Sequence, residues 1–328
     1  MAKHVLVPTL ALVAAFVCSL AVYTQGPLPG AVYDSDRKGE KPGPPPRRDL
    51  AGIWEPATAG GGIQGKGALA MESCRRDKGT GRDKGTGRYA VQQNPPLTDT
   101  GYATVDCLKP EVEPPYTALG LQRVKAHKPV EGYRMVPDAV NNDPILGCDP
   151  GGFPRVVLHN FRTSEILQTP THMVVLYKFQ KRYRTIWTDG RELPKDPQQP
   201  AWTTADRLPP EPRWWGYSVG KWMDDYTFVA RTNGFQDDRT WLDNAGLPQS
   251  DTTEVEETYH RVDANHLELS IRITDPKLYT RSWVALDRLR LRLQSANFDI
   301  QEMECSPSDQ KHYYELFGNL TGLSDAGK

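Results

Sequence analysis

The segment TTEVEETYHRVDANHLELSIRIT, residues 252–274, decides the fold because it contains two strand patterns joined by a short turn. In its second half, apolar residues alternate strictly with polar ones, which predicts a strand with one face in the core and the other in water: the apolar set is Leu267, Leu269, Ile271 and Ile273. Turn-forming residues occupy positions 263–266. The segment therefore predicts an antiparallel β-hairpin.

The first half of this hairpin places a carboxylate in the apolar phase. Glu257 shares its phase with Val255 and Tyr259, whereas the other phase is polar throughout. A carboxyl group among apolar side chains must be ion-paired, hydrogen-bonded or protonated. Two interpretations follow: a structural ion pair with an inward arginine such as Arg155 or Arg184, or a general base or ligand anchor facing a cavity.

The rest of the chain continues the β pattern with short turns and one short helix near residues 116–128. We predict further strands in residues 153–160, 165–180 (two short strands or one long bent one, interrupted at Pro170), 182–188, 214–222, 226–232, 282–293 and 298–304. Consecutive strands without long helices predict a mainly β protein, an antiparallel meander. A meander of this size hides its edges by closing into a barrel.

The first strand begins with Gly52-Ile53-Trp54. This G-x-W pattern is similar to the start of lipocalin-type barrels, in which the tryptophan plugs the base, and it implies a lipocalin/calycin-like barrel. A tryptophan that packs under any sheet is the alternative.

The N-terminus predicts export. Residues 1–21 combine a lysine, an apolar run and small residues before a cleavage site, which is typical of a secretory signal peptide, with a membrane anchor as the alternative. We expect no stable membrane span after cleavage and a periplasmic or secreted protein. A Pro/Gly-rich linker, predicted to be disordered, follows at 22–48. One barrel domain at 49–305, with a low-complexity loop at 60–88, and a C-terminal tail at 306–328 complete the organisation.

Cysteine content and charge narrow the partners. Four cysteines remain after the signal, which allows paired disulfides in any of three connectivities, with free buried thiols as the alternative: Cys74, Cys107, Cys148 and Cys305. Lys and Arg total 40 against 41 Asp and Glu, and no basic stripe occurs, so nucleic acid is not an expected partner.

Two aromatic segments suggest a ligand site. In residues 214–222, Trp214 and Trp222 flank a run of small residues in one strand phase, which indicates either the walls of an apolar pocket or glycines that let a strand curve. The loop at 234–250 carries Trp241, a candidate lid, and three aspartates including Asp243. Asx-turns explain these aspartates better than a metal, so we predict neither metal nor cofactor.

Six segments together resemble a family of exported bacterial proteins of the Acidobacteria type. They are DLAGIWEP, NDPILGCDPGGFPR, TDGRELP, VEETYHRVD, ITDPKLYTRSW and the long stretch 214–251, WWGYSVGKWMDDYTFVARTNGFQDDRTWLDNAGLPQSD, within residues 50–305. The resemblance implies the fold and carries no activity with it. Where the family tends to show a histidine before the serine of the 241–250 loop, this chain has Gln249. A function that needs that histidine would be absent here. The tandem RDKGTG insertion also departs from the family.

These features predict an exported protein that binds a small apolar or amphipathic molecule. Trp215, Trp222 and Trp241 would line or cap the cavity. Glu257, with Arg155 or His172, would orient a polar group of the ligand. The alternative is a hydrolase or an isomerase/hydratase on the same barrel. There, Glu257 or Asp243 would act as general base, and Arg191 or His172 would stabilise negative charge. His172 itself reads either as a satisfied core histidine or as an inward catalytic one. A third interpretation is an interaction module of the cell envelope.

Overall fold

The computed structural model describes residues 30–58, 114–127, 144–158, 161–194, 213–242, 246–308 and 311. Within these ranges the chain forms one closed barrel, with strands in chain order and β1 paired to β9. The strands are β1 Gly52–Pro56, β2 Ser164–Gln168, β3 His172–Tyr177, β4 Arg182–Trp187, β5 Tyr217–Trp222, β6 Thr227–Asn233, β7 Glu254–Arg261, β8 His266–Thr274 and β9 Trp283–Leu293. The helices are α1 Ala118–Ala126 and α2 Arg155–Leu158, and single 3-10 turns lie at Asp34–Arg37, Pro144–Gly147 and Phe179–Lys181. The prediction of a mainly β, closed barrel is confirmed.

One strand pair departs from the expected antiparallel meander: β4 and β5 are parallel, with Ile186 opposite Ser218 and Trp187 opposite Val219. The reason is parity. Each antiparallel contact reverses strand direction, so a ring of nine strands cannot close unless at least one pair is parallel. A parallel pair also needs a connection that returns along the barrel.

The start of that connection is visible on the outside of the barrel. After β4 the chain runs through residues 188–194, where the Arg191 guanidinium donates to the Tyr217 hydroxyl at 2.9 Å. The Asn233 amide donates to the Pro194 carbonyl at 2.8 Å, at the far end of β6. Residues 188–194 therefore cover part of the outer wall of β4 and β5.

The barrel interior follows from alternation along each strand. Positions of one phase in β3, β7 and β8 are buried, and positions of the other phase are half-buried or exposed. The inward apolar side chains form one core cluster, which includes Val175, Ile186, Phe228, Val255, Leu267, Leu269, Ile271 and Leu289. Burial of each large apolar side chain stabilises the folded state by roughly 1.5–3 kcal/mol. This core holds the inward polar groups in a low-dielectric interior.

One end of the barrel, the arm end, is covered by residues 30–50. The Ala264 amide donates to the Gly43 carbonyl at 3.0 Å and the Arg48 amide donates to the Asp225 carbonyl at 2.6 Å. Asp34 accepts from Arg292 at 2.9 Å and lies 2.8 Å from His266 Nε2. Residues 30–48 of the predicted linker therefore follow a fixed path, which differs from the expected disorder. Polar contacts order this arm, whereas composition had indicated only that it lacks apolar surface; residues 22–29 lie outside the described ranges.

Trp54 fills the interior at the arm end. It is fully buried, its Nε1 donates to the Leu50 carbonyl at 3.0 Å, and the Arg261 guanidinium lies 4.5 Å from its ring centroid. Gly52 has φ +131°, and a Cβ there would lie 2.4 Å from Leu293 Cδ1, so the position requires glycine. The tryptophan thus closes the barrel base; a relationship to lipocalins stays a prediction.

The opposite end, the cap end, is closed by α1, α2 and residues 234–242, 246–253 and 275–282. The predicted strand at 153–160 is wrong, because residues 155–158 form α2, in which the Leu158 amide donates to the Pro154 carbonyl at 3.0 Å. Pro154 precedes the first helical residue, so its lack of an amide costs nothing at the start of this helix. Residues 298–304 are also not a strand. The predicted helix near 116–128 is confirmed as α1.

A disulfide joins Cys148 to Cys305 across 157 residues. This pair is one of the combinations that the sequence leaves open; Cys74 and Cys107 lie outside the described ranges. No helix in the described part of the chain is both long and apolar enough to cross a bilayer.

Replacing Cys148 and Cys305 together by serine is expected to lower the free energy of unfolding by about 2–4 kcal/mol, because the cross-link restricts a long loop in the unfolded chain. Chemical denaturation of the oxidised protein and the double variant measures this difference. Equal midpoints for the two proteins would contradict a bond that constrains the unfolded barrel.

Candidate functional site

The inward position predicted for Glu257 is confirmed. Glu257 lies on β7 between Val255 and Tyr259, opposite Ala230 of β6 and Ile271 of β8, and its side chain is fully buried. A polar cluster surrounds it on the inner wall of β3 to β7. We call this set the Arg184 cluster: Tyr177, Arg184, Ser218, Thr232, Glu257 and Tyr259.

The ion pair between Arg184 and Glu257 forms the centre of the cluster. Arg184 Nη2 lies 2.8 Å from Glu257 Oε1 and 2.7 Å from Oε2. The Tyr259 hydroxyl donates to Oε1 at 2.7 Å. Of the two arginines named as candidate partners, the structure therefore selects Arg184.

The remaining contacts of Arg184 connect it to neighbouring strands. Its Nη1 donates to Thr232 Oγ1 at 3.1 Å and to Ser218 Oγ at 3.3 Å. The guanidinium carbon lies 3.7 Å from the ring centroid of Phe153, a residue of the cap end. Cation–π contact and hydrogen bonds together hold the guanidinium in one orientation.

Burial and charge shift the pKa values of the cluster. Burial alone would lower the pKa of Arg184, but the neighbouring Glu257 carboxylate outweighs it and raises that pKa, so the arginine stays charged. Burial raises the pKa of Tyr177 to about 12. Burial and the Glu257 carboxylate raise the pKa of Tyr259 well above its usual value. Both tyrosines are therefore neutral throughout the physiological pH range.

Two donors of the cluster have no acceptor. The Tyr177 hydroxyl and Arg184 Nε are both buried without a hydrogen-bond partner. Tyr177 and Arg184 are diagonal neighbours on the inner face of β3 and β4, with Tyr177 opposite Arg182 and Val175 opposite Arg184. After burial, the charge of Arg184 and a side-chain hydrogen bond from it both act on the pKa of the Tyr177 hydroxyl and lower it, so the two groups are close neighbours, although their contact does not meet hydrogen-bond geometry. A buried donor without an acceptor costs roughly 1–3 kcal/mol, so two such donors side by side need a physical explanation.

Trp215 connects this interior to the surface. It precedes β5 at the cap end, is half-buried, and stacks on Tyr177 with 5.6 Å between ring centroids and an interplanar angle of 17°. The adjacent Trp214 carbonyl accepts from the Phe153 amide at 3.0 Å. A movement of the Trp215 ring would therefore expose Tyr177.

Trp222 lies at the opposite end of β5 from Trp215, so the two tryptophans do not line one pocket. Trp222 packs against Phe228 with 5.3 Å between ring centroids. Phe228 also explains the small residue between the tryptophans, because a Cβ on Gly220 would lie 2.3 Å from Phe228 Cζ. The space beside Gly220 is filled by this ring.

Trp241 and Arg155 belong to the cap. Trp241 is buried, stacks on His127 with 4.8 Å between centroids, and has the Arg155 guanidinium 5.7 Å from its ring. Arg155 is fully buried on α2. Trp241 is therefore part of the packed cap, whereas the sequence interpretation made it a lid at a cavity mouth.

His172 does not lie in the barrel interior. It begins β3 in the outward phase, with Met173, Val175 and Tyr177 inward. Its Nδ1 lies 3.1 Å from Thr169 Oγ1 and 3.0 Å from Thr171 Oγ1, in a turn at the arm end. Both interpretations of His172, core and inward catalytic, are wrong, because the turn at Pro170 fixes the strand phase.

Arg191 also lies away from Glu257, on the outer wall. Its guanidinium pairs with Asp189 at 2.6 Å and stacks over Trp187 at 3.7 Å from the ring centroid. The barrel wall separates it from the Arg184 cluster. Asp243 lies outside the described residues. Nearby, Asp237 pairs with Arg123 at 2.8 Å and Asp238 lies 3.2 Å from His127, so both have protein partners.

The geometry does not favour Glu257 as a general base. Both carboxylate oxygens are engaged by Arg184, and one also accepts from Tyr259. A base needs a free oxygen within reach of a substrate proton. The described residues contain no group of three or more His, Cys, Asp or Glu side chains arranged to hold a metal ion.

Sequence reasoning missed three members of the cluster: Tyr177, Ser218 and Thr232. They share a strand phase with Val175, Gly220 and Ala230, which indicates the inward face, but each polar residue taken singly has an ordinary explanation. Only the strand register shows that they face Arg184.

Raising the pH above 10 is expected to destabilise the protein. Tyr177 has a usual pKa of 10.0 and a folded pKa of about 12, so the unfolded state loses its proton first and gains stability as the pH rises between these values. By pH 12, the raised pKa of Tyr177 lowers the free energy of unfolding by roughly 2–3 kcal/mol. Melting temperature against pH, with Tyr177→Phe as the comparison, measures it; the variant should show a shallower decline above pH 10.

Comparison with protein-family models, with curated proteins and with solved structures gives no match for this chain.

Proposed function

We propose that the protein is exported and binds a small apolar or amphipathic molecule, whose polar group enters the Arg184 cluster at the cap end. One observation carries the proposal: two neighbouring donors, the Tyr177 hydroxyl and Arg184 Nε, are buried inside the barrel without an acceptor in hydrogen-bond geometry. Buried polar groups in native proteins are almost always paired, so an unpaired set supports a missing partner.

Trp215 supports a route to this position. Its half-buried ring covers Tyr177 directly, and Gly216, at φ +64°, gives the Trp214–Trp215 segment a sharp bend beside β6. Pockets for small molecules combine aromatic walls with a few placed polar groups. Trp215 and Tyr177 supply aromatic walls here, and Tyr177 and Arg184 supply the polar groups.

The Cys148–Cys305 disulfide supports an oxidising compartment, because such bonds form and persist outside the cytoplasm. It agrees with the secretory signal read from residues 1–21. A periplasmic or secreted carrier of a sparingly soluble molecule fits both observations.

Native mass spectrometry of the full chain, recovered from a bacterial periplasm, tests the proposal. We expect an additional mass of one small apolar molecule that is lost on denaturation. In parallel, the neutral fluorophore N-phenyl-1-naphthylamine is titrated into the protein after extraction of any ligand, and we expect saturable binding at one site.

Trp215→Ala and Trp222→Ala form a matched pair for the same experiment. The first removes the ring over Tyr177 and should weaken fluorophore binding about tenfold; the second changes the opposite end of β5 and should not. A chain that carries no ligand and binds no fluorophore would overturn the proposal, as would equal effects of the two substitutions on binding.

A further inference from the structure

The hydrogen-bond capacity of Arg184 is used almost completely. The Nη2 group reaches both oxygens of Glu257, and the Nη1 group donates to hydroxyls of β5 and β6. Arginine has five N–H donors in a fixed planar fork. Only the Nε–H, on the guanidinium nitrogen that is bonded to the aliphatic part of the side chain, is left without an acceptor in hydrogen-bond geometry.

The charge of the cluster is also balanced. Arg184 contributes one positive charge and Glu257 one negative charge at 2.7 Å. The other members, Tyr177, Ser218, Thr232 and Tyr259, are neutral. A ligand group that enters next to this pair therefore meets no uncompensated charge.

We infer that the ligand presents a neutral carbonyl oxygen, as in a ketone, ester or amide, to the Tyr177 hydroxyl and Arg184 Nε. This inference rests on the proposed function and names the chemical class of its ligand. A carbonyl oxygen has two lone pairs and no hydrogen, so it accepts from both donors at once.

A carboxylate does not fit the same position. Its charge would add a second negative group beside Glu257 in a buried, low-dielectric site, where repulsion between like charges is strong and solvent compensation is lost. An alkane lacks an acceptor and leaves both donors unpaired. The cluster therefore discriminates a neutral oxygen from a carboxylate and from a hydrocarbon.

The test uses three probes of similar length, 2-tridecanone, dodecanoate and n-tridecane, which compete with bound N-phenyl-1-naphthylamine at pH 7. The ketone is expected to bind at least about tenfold more tightly than dodecanoate, which corresponds to one strong hydrogen-bond or charge effect. Tyr177→Phe should weaken ketone binding about tenfold and leave n-tridecane binding unchanged.

Tyr183→Phe provides the matched control, because Tyr183 is 66% exposed on the outer wall of β4. It should leave all three affinities unchanged. Tyr177→Phe is expected to fold normally, since the Tyr177 hydroxyl makes no contact that meets hydrogen-bond geometry, and the melting temperature of the variant checks this.

The outcomes separate the two proposals. If dodecanoate binds as tightly as the ketone, or if Tyr177→Phe leaves ketone binding unchanged, the carbonyl assignment is overturned and the carrier function stands. If the fluorophore and all three probes fail to bind, the proposed function is overturned together with it. Tighter ketone binding that depends on Tyr177 supports both.

Discussion

Replacing Glu257 by glutamine is expected to lower the free energy of unfolding by about 3–5 kcal/mol, because the change leaves the Arg184 charge buried without a counter-charge. Arg184 is only 3% exposed and Glu257 is fully buried, so water cannot compensate. The Tyr259 hydroxyl also loses a charged acceptor. Urea denaturation of the wild-type and variant proteins measures the difference.

Two further variants make this prediction specific. Arg184→Met with Glu257→Leu removes both charges and should recover most of the loss, since an apolar pair of similar volume replaces a buried ion pair at little cost. Glu254→Gln breaks the Arg231–Glu254 pair on the outer wall, where the side chains are 50% and 34% exposed, and should change stability by less than about 1 kcal/mol. A Glu257→Gln effect as small as that of Glu254→Gln would contradict the buried pair.

The Arg184 cluster also lies where the sheet is held least by backbone pairing. The parallel register between β4 and β5 covers two residue pairs, whereas β7 and β8 pair over the whole of β7. Side chains of the cluster come from β4, β5, β6 and β7 and link them inside the barrel. We infer that the network supports the short parallel junction in addition to any ligand contact.

Much of the fold could be predicted from strand periodicity. Alternation in residues 252–274 gives the hairpin, the inward face and the burial of Glu257, because each of these depends on local phase alone. The inward position of Arg184 is of the same kind, since Arg184 and Ile186 alternate with exposed or half-buried residues along β4, but its choice over Arg155 as the partner of Glu257 depends on the tertiary structure. Local alternation was sufficient to predict the strand and its inward face wherever the strand continued for several residues.

The remaining features depend on contacts between distant segments. The odd number of strands requires at least one parallel pair, and no local pattern in residues 182–222 indicates that this pair is β4–β5. His172 and Arg191 lie at strand ends, where a turn or crossover sets the direction of the side chain. The unpaired donors of Tyr177 and Arg184 emerge only from the complete set of hydrogen bonds around them.

Asp275→Asn is the second substitution with a large expected effect. Asp275 is buried in the β8–β9 connection, and its carboxylate accepts from six donors: the Ser250, Lys277 and Leu278 amides and the Ser250, Thr252 and Thr253 hydroxyls. Hydrogen bonds to a charged group contribute roughly 1.5–3 kcal/mol each, and an amide nitrogen in place of one oxygen turns accepted bonds into repulsive donor pairs. We therefore expect a loss of about 3–6 kcal/mol in the free energy of unfolding.

Asp251→Asn is the matched control, because Asp251 belongs to the same region but forms an ion pair with Lys277 in which both side chains are more than 40% exposed. Loss of this exposed ion pair should lower the free energy of unfolding by less than about 1 kcal/mol. Asp275 binds residues 246–253 to the β8–β9 connection, and both segments are part of the cap, where residues 248 and 249 contact Trp241 and Phe153. All amides that exchange by global unfolding lose protection in Asp275→Asn, but hydrogen exchange should show cap amides becoming less protected than those of β7 and β8. Equal protection of the cap and these strands in the variant would contradict a local role for Asp275.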